Sequence, residues 1–434
     1  MKKKTLYLLA LVCLFTNSIS AQTTRDEIFN DLNKAGGVYY AYPVTESANT
    51  PAPKGYKPFY VSHYGRHGSR YLIGDEDLKW IVDLMDKAEK ADALTPLGKD
   101  VASRLDAFWQ EMRGRGGELT PLGTRQHKGI ARRMITAYPE VFAGNPEVTA
   151  ASTQVMRCAH SMMAFSEGLK EVKPELDIPK ESSKRNMYYL CYHSPEYGVY
   201  NNDKGPWKQE FVKFEDRMTN PDRLMKALFK DDKFVLRNVN PKDLMRGLYW
   251  VAVDLQNAET PVTLTDIFDP QELMDLWQIY NYSFYIHDSS YPLGDGLAVD
   301  NAKNLLTHMV ENADRFIRDG KNGATLRFGH DGNIVPLTAL MKLENCYAYE
   351  MDPDSLYKSW TNFKISPMAS NVQMVFFKDK KDNVIVKFML NEREIAIPVE
   401  TDMFPFYSWN DARAHLQRMI DTPAKAFIPE NIDK

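Results

Sequence analysis

Two arginines and a histidine lie within a five-residue stretch of the sequence. Arg66 and His67 are adjacent, Arg70 follows three residues later, and glycines stand at 65 and 68. A guanidinium group offers planar N–H donors that match phosphate oxygens, and imidazole is a good nucleophile near neutral pH. Glycine lets the backbone turn sharply and approach a ligand. Two fixed cations around one imidazole therefore predict a loop that binds and attacks a phosphoryl group. The alternative is a solvated basic loop with an incidental histidine.

A second histidine four residues before His67 allows a different chemistry to be weighed. His63 and His67 have the i, i+4 spacing at which two histidines on one helix bind zinc. Gly65 lies between the two histidines and Gly68 directly follows the second, and both glycines disfavour a helix at this point. We therefore expect His63 to pack beneath the loop or to line its pocket rather than to bind a metal.

The elements that must position these groups are short apolar segments, each followed by polar residues. Phe59–Val61 precedes the first loop, residues 148–151 precede Arg157, and residues 325–328 precede His330 and Asp331. Such segments are typical of buried strands. Open α/β sheets bind ligands at the carboxyl ends of their strands, so the three sets of residues can meet in one crevice if the sheet brings them together.

These segments resemble the histidine phosphatase superfamily, in its acid phosphatase and phytase branch. The R-H-G-x-R signature of that branch stands at residues 66–70, with Leu72 where many members have proline. The L-T-x-x-G element matches residues 119–123, and the S-x-x-x-x-R-x-x-x-S element matches Ser152, Arg157 and Ser161. The second signature is matched by a His-Asp pair at 330–331 followed by Gly, whereas inositol polyphosphate phosphatases typically have His-Ala-Glu.

The resemblance implies an α/β fold, namely an α/β/α sandwich with a mainly parallel sheet and a mostly helical inserted cap domain. It implies a histidine acid phosphatase that uses neither a metal ion nor a cofactor. The implied partner is a small phosphomonoester substrate, either an inositol polyphosphate, as for a phytase, or another small ester. The implied site residues are His67, Asp331, Arg66, Arg70, Arg157 and His330. In these roles His67 attacks phosphorus, the arginines and His330 bind the phosphate, and Asp331 protonates the leaving oxygen and then assists water.

Two other classes of protein use similar residues. An exported protein that captures a phosphorylated ligand without turnover needs the arginines, but it needs neither a nucleophile nor the proton donor at residue 331. A phosphomutase shares the nucleophile, but sugar-phosphate metabolism is usually intracellular. Within the phosphatases the substrate stays open, because the basic residues that an inositol polyphosphate requires also suit a solvated face; these are Lys180, Lys184, Arg185, Lys204 and Lys208.

The N-terminus has the organisation of a secretory signal peptide. Three lysines at 2–4 precede the apolar segment Leu6–Phe15, and small residues lead to a cleavage position near Ala21. We therefore expect residues 1–21 to be removed and the protein to be periplasmic or extracellular, without a membrane anchor. Removal changes the formal net charge from −4 to −7. An acidic chain of this kind is not suited to coating nucleic acid.

The pattern of residue types predicts two structural parts. Residues 22–179 and 306–434 are expected to form the α/β domain, with residues 22–55 as a lead-in segment on its surface. Residues 180–305 are rich in aromatic residues and helical patterns, and they are expected to form the insert. Near the C-terminus, residues 371–378, 383–390 and 394–398 are predicted strands, and residues 409–421 are a predicted helix.

The cysteines do not indicate a metal or redox site. The mature chain has Cys158, Cys191 and Cys346, so at most one internal disulfide can form, and no C-x-x-C pair is present. We expect these thiols to be buried as small apolar groups. EF-hand, HExxH and P-loop patterns are also absent from the sequence. The oligomeric state is left open by the sequence.

Overall fold

The structure is a computed structural model that describes residues 24–44, 49–202 and 204–430. The predicted signal peptide, residues 1–21, lies outside the described residues. Within the described ranges, no helix has the length and apolar character needed to cross a lipid bilayer.

An eight-stranded mixed sheet forms the centre of the molecule, with the main strand order β3-β2-β4-β1-β5-β6-β7 and β8 paired with β6. The strands are β1 (Lys57–Arg66), β2 (Glu147–Ser152), β3 (Lys180–Glu181), β4 (Gly323–Gly329), β5 (Asn371–Lys378), β6 (Val384–Leu390), β7 (Arg393–Glu394) and β8 (Phe406–Ser408). Strands β3, β2, β4 and β1 are parallel to one another, and the remaining pairings are antiparallel.

Helices cover both faces of this sheet and fill the region between β3 and β4. They are α1 (24–30), α2 (Glu76–Lys90), α3 (Pro96–Met112), α4 (Pro121–Ala137), α5 (Met156–Val172), α6 (Met187–Leu190), α7 (Pro195–Tyr200), α8 (Lys208–Met218), α9 (Asp222–Leu228), α10 (Asp232–Asn238), α11 (Pro241–Asp254), α12 (Pro270–Asp288), α13 (Leu297–Asp300), α14 (Lys303–Asp319), α15 (Asp331–Leu340), α16 (Asn362–Ile365) and α17 (Trp409–Asp421).

Two apolar cores lie on opposite faces of the sheet. Strand β1 shows this division, because Tyr60 belongs to the core shared with α14 and α17, whereas the next residue, Val61, belongs to the core shared with α4 and α5. Alternate residues of a strand point to opposite faces, so a strand that is apolar on both sides must be covered twice. The α/β fold class predicted from the sequence is thereby confirmed.

The strand register brings three distant segments to one edge of the sheet. Strand β4 lies between β2 and β1, with Arg66 opposite Gly329 and Ser152 opposite Phe328. All three strands are parallel, so their carboxyl ends meet at the same edge. The residues that follow each strand are those that the sequence predicted to do chemistry.

Two sequence-based expectations about the fold are wrong. Residues 22–55 were expected on the surface, but Ala35–Tyr39 are buried in a 3₁₀ segment spanning Leu32–Tyr39. This segment contacts the edge of the sheet at which β1, β2 and β4 end, because the Val38 carbonyl accepts a hydrogen bond from Arg66 and the Tyr39 hydroxyl accepts one from Arg70. The third C-terminal strand was expected at 394–398, but pairing with β6 is limited to β7, Arg393–Glu394.

The repeated Leu-Thr-Pro-Leu-Gly segments begin helices α3 and α4. In α4 the Thr120 hydroxyl accepts the Gly123 N–H, as an N-cap does, and proline occupies the first turn. Gly123 also packs on the first signature loop, since a Cβ built on it would lie 2.3 Å from the carbonyl oxygen of Ser69. The second copy of the repeat therefore supports the loop directly.

Replacing Gly123 with alanine is expected to lower both stability and activity. The added methyl group forces the start of α4 away from the backbone of the signature loop. This displaces the loop and costs about 1–3 kcal/mol of unfolding free energy. Denaturant unfolding measures the first effect, and kcat/KM for a small phosphomonoester, the substrate class that the resemblance implies, measures the second. Gly198→Ala is the matched control, because a Cβ at Gly198 meets no atom within 4 Å and its φ is not positive. Equal behaviour of the two variants would contradict this contact.

Candidate active site

His67 lies at the centre of the site, immediately after β1. Its ring is 2% exposed, and its Nδ1 lies 2.9 Å from the carbonyl oxygen of Gly68. A carbonyl can only accept a hydrogen bond, so Nδ1 must donate, and Nε2 of the neutral ring keeps its lone pair. Burial, together with the nearby arginines Arg66, Arg157 and Arg70, holds the pKa of His67 well below its usual value. The ring is therefore neutral over a wide pH range, with an unprotonated Nε2.

Arg66 is completely buried beside His67 and joins the first signature to the second. Its Nη1 donates to the carbonyl oxygens of Val38 and, at 2.9 Å, of Ser366. Its Nη2 lies 2.7 Å from Oδ2 of Asp331. Two backbone carbonyls therefore hold the guanidinium group through Nη1. Its Nε and Nη2 have no hydrogen-bond partner among the described residues, and these two donors suit bidentate phosphate recognition.

Asp331 is the first residue of α15 and lies close to several positive charges. Its Oδ1 accepts the N–H of Gly332 at 2.9 Å. Burial opposes ionisation of this carboxyl, but the charges of Arg66 and His330 and the Gly332 N–H outweigh it, so the pKa of Asp331 is lowered. Near neutral pH Asp331 is therefore an ionised carboxylate paired with Arg66.

Arg70 is held by the segment that precedes β1. Its Nη2 donates to the Tyr39 hydroxyl at 3.0 Å, and its guanidinium carbon lies 4.8 Å from the centre of the Tyr39 ring. Nη1 donates to the carbonyl oxygen of Tyr71 at 2.7 Å. Nε of Arg70 is buried and has no hydrogen-bond partner among the described residues. A ligand anion is one group able to satisfy such a donor.

Arg157 and His330 complete the set of predicted phosphate-binding residues. Arg157 lies in the first turn of α5, and its buried Nε likewise has no partner within the described ranges. The His330 ring centre lies 5.8 Å from that of His67, and its Nε2 is 3.1 Å from the hydroxyl of Thr153. Burial lowers the pKa of His330 to about 4, and the Arg157 charge acts in the same direction. The structure thus brings all six predicted residues to one edge of the sheet.

A hydrogen-bonded scaffold fixes the loop that carries these groups. The Ser161 hydroxyl accepts the Gly68 N–H at 3.1 Å, and Gln126 Oε1 accepts the Ser69 N–H at 2.9 Å. The Ser69 hydroxyl donates to Oδ1 of Asn257 at 2.7 Å. Serine at 161, part of the third motif, therefore holds the loop, while Asn257 ties it to the end of α11.

His63 is buried beneath the loop, as one of the two sequence-based alternatives proposed. Its ring centre lies 4.9 Å from that of Phe165 and 5.4 Å from that of Phe328. Burial lowers the pKa of His63 to about 3. Among the described residues, no group of three or more His, Cys, Asp or Glu side chains has a geometry able to hold a metal ion.

Other predicted features lie outside this constellation. Cys158 and Cys346 are buried and Cys191 is half-buried, all as free thiols. Of the basic residues in the insert, Arg185 pairs with Glu181 at 2.7 Å, and the Lys208 ammonium group lies 5.4 Å from the centre of the Trp207 ring. Each of these two cations therefore contacts a residue that is close to it in the chain.

Several residues that contact the site had no recognisable sequence motif. Tyr39 lies in a segment that the sequence suggested was superficial, and two carbonyls that bind Arg66 carry no side-chain signal at all. Two acids in the helical region, Asp254 and Asp288, also face the site. Burial raises the pKa of Asp254 to about 7 despite the nearby Arg70 charge. Each is the last residue of its helix, α11 or α12, and that position carries no sequence motif.

Comparison with known proteins agrees with this geometry. The family model described as "Histidine phosphatase superfamily (branch 2)" matches residues 65–391, three quarters of the chain. Multiple inositol polyphosphate phosphatase 1 of Gallus gallus is 19% identical over 410 residues, covering 87% of each chain.

Solved structures show the same fold. A multiple inositol polyphosphate phosphatase of Bifidobacterium longum, in complex with inositol hexasulfate, superposes with a TM-score of 0.72 at 17% identity; the match covers 88% of this chain and 97% of the other. The phytase from D. castellii superposes with a TM-score of 0.66 at 15% identity, covering 89% of this chain and 85% of the other. At these identities the likeness concerns the fold.

Proposed function

Because this chain belongs to the histidine phosphatase superfamily (branch 2) and is a histidine acid phosphatase, we propose that it hydrolyses phosphomonoesters through a phosphohistidine at His67. The observation that carries this proposal is the alignment of β1 with β4, which puts His67 beside His330 and Asp331 with its Nε2 lone pair free. A phosphomonoester needs in-line attack and compensation of charge on its equatorial oxygens. Arg66, Arg70 and the other cations supply that compensation.

In the first half-reaction, Nε2 of His67 forms a bond to phosphorus while the bond between phosphorus and the leaving oxygen breaks. Arg66, Arg70, Arg157 and His330 bind the equatorial oxygens. Asp331 gives a proton to the leaving oxygen. The carboxyl takes up this proton beforehand, when the substrate phosphate takes over part of the Arg66 contact, because losing that ion pair raises the proton affinity of Asp331.

In the second half-reaction, water attacks the phosphohistidine. Asp331, now ionised, accepts a proton from the water as its oxygen bonds to phosphorus, and the bond to His67 breaks. The products are inorganic phosphate and the free enzyme. The chemistry uses no metal ion and no cofactor.

We propose inositol polyphosphates as the substrates, with other small phosphomonoesters as the broader class. The support is the likeness to the three named enzymes and a site made of three arginines, a histidine and one carboxylate. We further propose that residues 1–21 direct export, and that residues 180–305 act as a helical cap over the site. Lys180 and Glu181, at the start of that region, pair with β2 and so join it to the sheet.

Phosphate release from purified protein tests the proposal and its pH dependence. For a histidine with an ordinary pKa of about 6.5, the neutral fraction falls roughly 50-fold between about pH 6.5 and about pH 4.5. The pKa of His67 is held well below that value, so its neutral form persists in acid. We therefore expect protonation of His67 to change kcat/KM by less than about 3-fold over this pH interval. The substrates for this measurement are inositol hexakisphosphate and p-nitrophenyl phosphate.

The same assay with a chelator separates the alternatives. Release that is unaffected by EDTA supports the proposed mechanism, and the ratio of the two substrates sets the preference. Tight binding of inositol hexakisphosphate without release of phosphate from either substrate would instead identify a capture protein. Release that EDTA abolishes would contradict the metal-free mechanism.

A further inference from the structure

A second carboxyl group lies next to the proposed proton donor. Asp288 is the last residue of α12, a 19-residue helix of the inserted region that ends beside the start of α15. A Cβ built on Gly332 would lie 3.3 Å from Oδ1 of Asp288. The Asp288 carboxyl thus occupies the space beside residue 332, directly adjacent in the chain to Asp331.

The two acids have opposite surroundings. Asp331 pairs with Arg66 and accepts the Gly332 N–H, whereas no ion pair or hydrogen bond of the Asp288 carboxyl is found among the described residues. Burial, and then the charge of Asp331, raise the pKa of Asp288 to about 8. Burial and the Asp331 charge therefore both favour the protonated form of the half-buried Asp288, whereas the Arg66 charge favours the ionised form of Asp331.

The remaining titratable groups around Asp288 do not neutralise it. The phenols of Tyr197 and Tyr200 on α7 sense its charge, but their hydroxyls donate to the carbonyl oxygens of His287 and Ile286. The neighbouring His287 bonds through Nδ1 with Ser283, and its pKa is lowered, first by burial. The charged group that acts most directly on Asp288 is therefore Asp331.

We propose that Asp288 and Asp331 form an acid pair that shares one proton, and that Asp288 holds this proton in the resting enzyme. This inference rests on the proposed phosphatase mechanism. When pairs of acids have environments that favour opposite protonation states, their acid and base roles are divided accordingly. Asp288 acts through Asp331 and is a positioning residue for the proton, not a group that touches phosphorus.

The proton balance is closed over one turnover. The O–H bond of Asp288 breaks and its proton passes to Asp331. Asp331 then releases this proton to the leaving oxygen as the ester bond breaks and the bond from His67 to phosphorus forms. In the second step water gives one proton to Asp331 as its oxygen bonds to phosphorus, and that proton returns to Asp288.

The dependence of kcat on the leaving group of the ester tests this proposal, because a purely structural role of Asp288 would affect all esters equally. An alkyl ester such as glycerol 2-phosphate needs protonation of its leaving oxygen, whereas p-nitrophenolate departs without it. For Asp288→Asn we expect kcat to fall at least about 30-fold with glycerol 2-phosphate and less than about 3-fold with p-nitrophenyl phosphate. The loss of wild-type activity with glycerol 2-phosphate above about pH 8 is expected to disappear from the variant's profile.

A second variant covers the case in which Asp288→Asn does not fold. Gly332→Ala keeps both acids but adds a methyl group that crowds Oδ1 of Asp288, so we expect the same selective loss with the alkyl ester, about 5-fold. Asp275→Asn is the matched control. Asp275 lies on the same helix, and its pKa is also raised by burial, but it accepts a hydrogen bond from Gln271 at 2.7 Å, about 20 Å along the helix from Asp288.

The outcomes distinguish this inference from the proposed function. Equal losses with both esters, or no loss with either, in Asp288→Asn and Gly332→Ala would overturn the acid pair while leaving the phosphatase mechanism intact. Absence of turnover by the wild-type protein with both esters would overturn the mechanism itself. A selective loss in Asp275→Asn as large as in Asp288→Asn would show that the effect is not local, and would also overturn the acid pair.

Discussion

His67→Ala is expected to lower kcat at least about 10⁴-fold for every phosphomonoester, because no other group replaces the attacking nitrogen. His330 is the nearest imidazole, but its Nε2 is bonded to the hydroxyl of Thr153, and its ring lies across the site at 5.8 Å. The arginine cluster stays in place, so inositol hexakisphosphate is expected to bind with little change in affinity.

Three measurements distinguish loss of the nucleophile from loss of the fold. Rapid denaturation in base, where phosphohistidine is stable, is expected to recover labelled phosphate on the wild-type protein and none on His67→Ala. Calorimetric binding of inositol hexakisphosphate reports whether the phosphate site survives. His160→Ala is the matched control, because His160 is an exposed residue of α5. Turnover by His67→Ala within about 10-fold of wild type would show that another group attacks phosphorus.

Arg66→Met is expected to have the second-largest effect, and it acts on both activity and stability. The substitution removes a fully buried phosphate donor, for which a loss of about 10²–10³-fold in kcat is typical. It also leaves Asp331 without its cationic partner. Breaking a buried pair by removing one partner costs roughly 3–5 kcal/mol of unfolding free energy.

The pH dependence of this destabilisation has a defined sign. The pKa of Asp331 is lowered in the folded state, so its contribution to stability is present above its unfolded value of about 3.9 and disappears as pH falls through the folded value. The difference in unfolding free energy between wild type and Arg66→Met is therefore expected to be largest near neutral pH and to shrink below about pH 4. Urea unfolding at several pH values measures it.

A double substitution separates the two consequences. Arg66→Met with Asp331→Asn is expected to recover most of the stability, because the unpaired carboxylate is gone, but none of the activity. Arg217→Met is the surface control. Arg217 pairs with Asp354 at 2.8 Å with both side chains about half exposed, and its removal is expected to cost less than about 1 kcal/mol. Destabilisation by Arg66→Met no larger than this would contradict the buried pair.

The sequence by itself determined which residues follow which strands. The first and second signatures, Arg157 and the apolar segments before them are local patterns, and each was found at the carboxyl end of its strand. The reason is that strand, loop and helix start are encoded within a dozen neighbouring residues by apolar spacing, glycine and capping side chains. Helix α17, Trp409–Asp421, was predicted from the same kind of signal.

Tertiary structure decided which strands are neighbours and what surrounds each reactive group. Placing β4 between β2 and β1 brings Arg157 and Asp331 to His67, from positions that lie far apart in the chain. The environment of Arg66 depends on backbone carbonyls, which every residue possesses, so no residue type marks them. Asp288 likewise meets Asp331 only through the packing of α12. Protonation states in this site depend on burial and on distances between charges, and both exist only once the chain has folded.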